Sequence, residues 1–488
     1  MAREQESISG AKQPMRHLIW RFLFLAILLA GTWKSNAQSS LILLRRVTVI
    51  DAAGGPARRN VDVLIRVGHI ERIARAISAP SGSAIIQAGG KFLIPGLWDM
   101  HVHIWDADLA LPLFLANGVT GVRNMGGHPD DLKRWRMELR EGRRLGPQLI
   151  ACGPVVDGPP PIHPDHAVVV ENATDARSAV DHLRLQGWDF IKVYDNVPRN
   201  AYFALAAEAK KDGIPFVGHV PLAVTAREAS DAGQKSIEHL EGVAYVISSV
   251  GDQFRQDRLA RIGKPPQSGE MMKLPLRIGN ELNTLWDTYD VTRAADLFAD
   301  FKRNGTWQVP TLSVARVYAS IGNAAVYQDE RLRYVARQER DSWERNPIVH
   351  IEIAKYVEGR KRGLEETMRI TREAHNAGVP FLAGTDSGGV PYLYYGFSLH
   401  DELVLLVEAG FTPMEALQAA TRNAAQFLGL NDSGTIEVGK RADLVLLTAD
   451  PLADIHNTRK IEAVIVGGRF YDRGKLNEFL SEAERTAR

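Results

Sequence analysis

Short apolar runs recur along the chain, each just after a glycine that closes a stretch of helical period. Examples are Ala116-Asn-Gly-Val-Thr-Gly-Val122, Gln186-Gly-Trp-Asp-Phe-Ile-Lys-Val193 and Asp212-Gly-Ile-Pro-Phe-Val-Gly-His219. Ala232-Gly-Gln-Lys-Ser-Ile-Glu-His239, Asn304-Gly-Thr-Trp-Gln-Val-Pro-Thr311 and Ala377-Gly-Val-Pro-Phe-Leu-Ala-Gly384 repeat the pattern. Glycine accepts the left-handed conformation that stops a helix, and the run that follows reads as a buried strand. Leu97 to His103 and Pro147 to Cys152 complete eight strands between 97 and 386. Alternating βα units in this number predict a parallel (β/α)8 TIM barrel, with a doubly wound open sheet as the alternative.

The flanks lack this period. Residues 38–96 and 432–475 alternate apolar and polar positions between glycine-rich turns, which predicts antiparallel strands. The fold class is therefore α/β, a barrel spanning 97–431 inserted into a small β-sandwich domain formed by both ends of the mature chain. Residues 251–300 break the repeat and are expected to form a helical insertion over the barrel mouth, and 476–488 a C-terminal tail.

Residues 1–37 differ again. Arg16 and Arg21 precede the apolar run Phe22 to Ala30, and Ser35-Asn36-Ala37 supplies small residues for cleavage. This is the pattern of a secretory signal peptide, with an uncleaved anchor as the alternative. The run is too short for a bilayer, which takes ~20 residues, so no stable membrane insertion is expected after cleavage. The protein is expected to be exported, periplasmic or secreted. Removing the segment shifts the formal charge from +1 to −2, which gives no electrostatic case for nucleic acid. The single cysteine, Cys152, excludes an internal disulfide and a cysteine-built zinc site. Whether the chain forms a homo-oligomer stays open.

Any metal must then be held by His, carboxylate or Lys. His101 and His103 lie two apart on a predicted strand, so both point to one face. Lys192, His219, His239 and Asp386 each end a predicted strand, where barrel chemistry takes place. A buried lysine has a lowered pKa, so a neutral amine that adds CO2 to give a carbamate is accessible to Lys192. Four histidines, one aspartate and that carbamate would suit two divalent ions, Zn2+ best.

Together with Ile94-Pro-Gly-Leu-Trp-Asp-Met-His-Val-His103, Thr385-Asp386-Ser387, Asn423-Ala-Ala-Gln-Phe-Leu-Gly429 and Gly439-Lys-Arg-Ala-Asp-Leu-Val445, these residues resemble the binuclear metal-dependent amidohydrolase superfamily. A lysine on strand four with Tyr194 two residues on resembles its prolidase-like, Xaa-Arg-dipeptidase-like and ochratoxinase-like members. The resemblance implies that His101, His103, Lys192 and Asp386 hold the deeper metal. It implies that Lys192, as carbamate, with His219 and His239 holds the outer one. It further implies a metal-bridging hydroxide that attacks an amide carbonyl, with Asp386 as general base and then acid. Tyr194 would bind the carbonyl oxygen or a substrate carboxylate. His163 and His166, in a proline-rich loop, together with Arg123 and Tyr392, are candidates for contact with substrate, and Asp106 for support of the first histidines. The expected substrate is a small molecule, a dipeptide or an N-acyl amino acid. A cyclic amide of imidazolone type or a lactone is the alternative, and deamination a weaker one, since no acid follows His219. Asp386-Ser387-Gly388-Gly389 also matches the nucleophile segment of trypsin-like proteases, but the all-β context that segment needs is missing.

Overall fold

A computed structural model of the chain describes residues 41–262, 281–345 and 354–488. The signal-peptide reading of 1–37 and part of the expected insertion, 263–280, lie outside the described residues. Strands β1 Leu41–Val49, β2 Arg58–Arg66, β3 His69–Ala74, β4 Ala84–Gln87 and β5 Phe92–Pro95 precede all helices. Strands β15 Leu444–Leu447, β16 Ile461–Val466 and β17 Arg469–Asp472 follow nearly all of them. The two groups form one mixed sheet of eight, in the order β17-β16-β15-β5-β1-β2-β3, with β4 beside β1. Apolar residues from both groups, among them Ile42, Leu44, Ile65, Leu444 and Ile465, share one buried cluster. The β2–β3 and β16–β17 turns are two-residue hairpins with positive φ at both positions, Val67 and Gly68 in one, Gly467 and Gly468 in the other. They touch: a Cβ on Gly468 would come within 2.9 Å of the Gly68 nitrogen.

Between these groups all strand pairing is parallel. Strands β6 Leu97–Val102, β7 Val119–Asn124 and β8 Gln148–Ala151 form one sheet. Strands β9 Val155–Asp157, β10 Ala167–Val169, β11 Ile191–Val193, β12 Phe216–Gly218, β13 Ser236–Glu238 and β14 Trp307–Val309 form another, in the order β10-β9-β11-β12-β13-β14. The expected eighth strand, Ala377 to Gly384, is not a regular strand. It is nonetheless bonded on both sides: Leu382 N–H donates to Gln308 O at 2.9 Å, and Met100 N–H to Ala383 O at 2.9 Å. Its regularity ends where Asp386 takes a left-handed backbone, φ 63°.

The helical stops fall where the glycines predict. Gly213 ends the helix Arg199–Asp212 at φ 69°, and Gly305 ends Val291–Asn304 at φ 66°. Leu109, Phe114, Leu205, Leu297 and Phe301 from the helices lie in one large buried cluster with residues such as Val122 and Ile237 from the strands. Residues 476–488, set apart in the sequence as a tail, fall almost wholly within a helix, Arg473–Thr486. Its Leu476, Phe479 and Ala483 join that cluster. A second cluster takes Trp98 and Met100, Val217, Val309 and Leu382, at least one from each of several strands. Among the described residues no helix is long and apolar enough to cross a membrane.

Candidate metal centre

The centre begins at the end of β6. Pairing with β7 slips between Asp99 and Val102, and such irregularities re-aim side chains. Met100 enters the cluster with Val217, Val309 and Leu382, and the neighbouring His101 meets the other imidazoles. The His101 and His103 rings lie 5.5 Å apart, and those of His101 and His239 4.7 Å. His239 and His219 follow at 5.1 Å. Asp386 reaches this group: its Oδ1 lies 3.5 Å from His101 Nε2 and 3.3 Å from His103 Nε2, and its Oδ2 4.0 Å from His239 Nε2. His101, His103 and Asp386 are thus close enough to share one ion.

The other ring nitrogen of each histidine is already engaged. His101 Nδ1 donates to Glu238 Oε2 at 2.8 Å, and His219 Nδ1 to Asp195 Oδ1 at 2.5 Å. His239 Nδ1 donates to Thr311 Oγ1 at 2.7 Å, because the threonine hydroxyl itself donates to Pro310 O. His103 Nδ1 faces Gly126 O at 3.4 Å. A histidine held through Nδ1–H presents the Nε2 lone pair, the arrangement metal-binding imidazoles use. Burial pushes His101 well below the ordinary imidazole range and His239 down to about 3, so both rings are neutral donors. Burial acts to raise Asp386, but the hydrogen bond from His103 and the electropositive His239, His103 and Lys192 side chains around it outweigh burial and lower the carboxyl.

Lys192 sits in β11 with its ammonium end buried and without a hydrogen-bond partner among the described residues. Burial lowers its pKa, and the Glu238 and Asp386 charges only partly restore it. Gly218 makes room for its stem, since a Cβ there would meet Lys192 Cδ at 2.9 Å. A buried amine with no acceptor is costly as it stands. As a carbamate it would become an oxygen donor in a place where no Asp or Glu side chain completes the set. The residues therefore fit a pair of borderline divalent ions. Three of them pay for their place with backbone strain: His239, Thr311 and Asp386 all have left-handed φ, 59°, 46° and 63°. Non-glycine residues adopt this rarely, at about 1–3 kcal/mol each, and such strain gathers at functional sites.

The remaining candidates divide. Tyr194 stacks on His219 at 4.2 Å, and its hydroxyl lies 2.9 Å from His163 Nε2. His166 stacks on His163 at 5.0 Å and meets Trp105 edge-on. Burial lowers His163, and His166 to about 4, which keeps this wall uncharged. Arg123 does not face the mouth. It is fully buried and donates to Met100 O, Ser236 Oγ and both Glu238 oxygens, so its charge is consumed inside the fold. Tyr392 is also displaced: it packs against Tyr327 and Trp343 in an aromatic cluster. Asp106 supports no histidine but caps the helix Ala107–Ala116, accepting from Asp108 N and Leu109 N. Glu238, Asp195 and Thr311 are the functional residues the sequence reading passed over. Their signal was adjacency, since Glu238 precedes His239 and Asp195 follows Tyr194.

Residues 92–471 match the amidohydrolase family. The chain belongs to that family, whose members are hydrolases acting on carbon–nitrogen bonds. In structure it is similar to bottromycin amidohydrolase, with 27% identity, a TM-score of 0.71 and coverage of 92% of this chain and 91% of that one. It is likewise similar in fold to a prolidase from Bifidobacterium longum, itself assigned by inference, with 24% identity, a TM-score of 0.65 and coverage of 91% and 99%. Against curated sequences the matches are short: dihydroorotase of Geobacter sp. strain M21 is 39% identical over 77 residues, 16% of this chain and 18% of that protein. The chain thus aligns with less than a fifth of that relative's length.

Proposed function

We propose that the chain is an exported amidohydrolase that binds two divalent ions, zinc best, and cleaves an amide bond of dipeptides or N-acyl amino acids. The observation that carries it is the convergence of four histidines, three with Nδ1 fixed by a side chain, on Asp386 and an unpartnered buried Lys192. The fold reading is a closed (β/α)8 barrel carried by a β-sandwich. The backbone bonds on both sides of residues 380–387 and the strand-side cluster of Trp98, Met100, Val217, Val309 and Leu382 support it.

His101, His103 and Asp386 would hold one ion, His219 and His239 the other, and Lys192 as carbamate would be shared. When bound, the ions lower the pKa of water and polarise a carbonyl. Asp386 takes the proton that the attacking water loses and returns it to the departing nitrogen. Glu238, Asp195 and Thr311 hold the imidazoles in one tautomer throughout. Tyr194 and His163 orient the substrate through its carbonyl oxygen or carboxylate.

The purified mature protein is expected to carry close to two divalent ions per chain by mass spectrometry. Chelation should abolish hydrolysis in a screen of Xaa-Pro, Xaa-Arg and hydrophobic dipeptides, N-acyl amino acids, cyclic amides and lactones. His101→Ala or His103→Ala should lower ion content and rate together. A fully active metal-free preparation overturns the reading. Export should leave an N-terminus at or near Gln38 by N-terminal sequencing, and an intact Met1 or Met15 terminus on exported protein overturns cleavage.

A further inference from the structure

A cavity of about 480 Å3 opens beside the metal centre, and Asp195, His239 and Glu241 all line it. Val243, Leu285, Trp286 and Ile370 give the wall an apolar part, and Arg258 and Arg360 also line it. The two acids are not equivalent. Asp195 is committed to His219. Glu241 lies two residues past His239, after a turn in which His239 and Leu240 both have left-handed φ, 59° and 52°, and Glu241 N–H donates to Glu238 O at 2.9 Å. Among the described residues no donor hydrogen-bonds its carboxylate and no cation forms an ion pair with it. Arg258, on the same cavity, acts on Glu241 by charge but makes no close ion pair with it: its Nη1 donates to Tyr245 Oη, which in turn donates to Glu281 Oε1 at 2.8 Å. A half-buried carboxylate next to a second carboxylate, with no hydrogen bond or close ion pair of its own among the described residues, is an arrangement that a cation relieves.

We propose that Glu241, with Asp195 beside it, receives the free α-ammonium group of the substrate's N-terminal residue, whose side chain enters the apolar part of the cavity. This rests on the amide hydrolysis proposed above and selects dipeptides with a free amino end over N-acyl amino acids. The covalent geometry of a peptide agrees. The α-nitrogen lies two bonds, ~2.5 Å, from the scissile carbonyl carbon, so its receptor must adjoin the residues that hold the metals. Glu241 meets that requirement by lining one cavity with His239. The apolar part of the wall favours a leucine-sized side chain over a small one.

The test compares Leu-Pro with N-acetyl-Leu-Pro, which share the scissile bond and differ in the ammonium charge. The holoenzyme is expected to prefer the free dipeptide by ~10- to 100-fold in kcat/KM, the range of a hydrogen bond to a charged group. Glu241→Gln, which keeps shape and removes charge, should collapse that ratio towards one. A preference that survives Glu241→Gln, or its absence in the wild type, overturns the proposal. Calorimetric binding of leucinamide against N-acetyl-leucinamide gives the same readout without turnover, and leucinamide should bind at least ~10-fold tighter in the wild type only. If no dipeptide is hydrolysed but leucinamide is still discriminated, the dipeptide reading fails and the ammonium site stands. If dipeptides are hydrolysed without regard to acetylation, the ammonium site fails and the hydrolase reading stands.

Discussion

Lys192→Met should fold, hold fewer than two ions per chain and lose at least ~10²-fold in kcat/KM. Methionine keeps the length and apolar stem of lysine but offers neither an ammonium nor a carbamate. Because the Lys192 amine has no partner among the described residues, removing it forfeits no hydrogen bond, and thermal unfolding of the metal-free variant should be no easier than that of the metal-free wild type. Lys192→Ala should lose ions and activity in the same way, but it also leaves a void where the stem packs against Gly218. Short-chain carboxylates should restore part of the activity of Lys192→Ala by entering that space and should do less for Lys192→Met, which fills it. Wild-type ion content and rate in both variants would show that the lysine only packs.

The candidate ligand residues were legible in the sequence because two simple rules find them. Glycine ends a helix, and the strand that follows carries polar residues at its C-terminal end. That rule finds His219 and His239, each directly after a strand, and Lys192 one residue before the end of its strand, and the period of two adds His101 with His103. The same rules fail for Arg123 and Lys192 considered together. Both are buried strand residues, yet one meets a buried glutamate and the other has no hydrogen-bond partner among the described residues. A two-residue period gives the face of a strand and not the depth along it, and depth decides whether a cation is consumed by Glu238 or left facing the candidate metal centre. Tyr392 escaped for a different reason. Its place depends on the helices Leu312–Ser320 and Arg337–Arg345 and the aromatic cluster with Trp343, contacts far apart in sequence that no local pattern encodes. The eighth strand was legible in position but not in form, since residues 377–384 make backbone bonds on both sides without becoming a regular strand.

The left-handed backbone at Asp386 also bears on which neighbour does the chemistry. Asp386→Asn should lower kcat/KM by ~10²- to 10⁴-fold at matched ion content, because the amide cannot carry the proton from water to the leaving nitrogen. Ser387→Ala should retain much of the activity. The serine is fully buried: its hydroxyl meets Thr385 Oγ1 at 3.0 Å, and its backbone oxygen accepts from His103 N–H at 2.9 Å. Thr385 is in turn held by Asp99, whose Oδ2 accepts from Thr385 Oγ1 at 2.7 Å. Burial pushes the Asp99 carboxyl up to about 8. Ser387 therefore belongs to the frame that fixes Asp386 and His103, where it has no path to a substrate carbonyl. The glycines after it serve closeness of approach, since a Cβ on Gly389 would come within 2.3 Å of Asp386 Oδ1 and one on Gly388 within 1.9 Å of His103 O. A serine-nucleophile enzyme would behave in the opposite way, dying with the serine and forming a covalent adduct with a fluorophosphonate. Near-wild-type activity in Asp386→Asn together with a dead, unlabelled Ser387→Ala would therefore overturn the two-metal mechanism at its proton-transfer step.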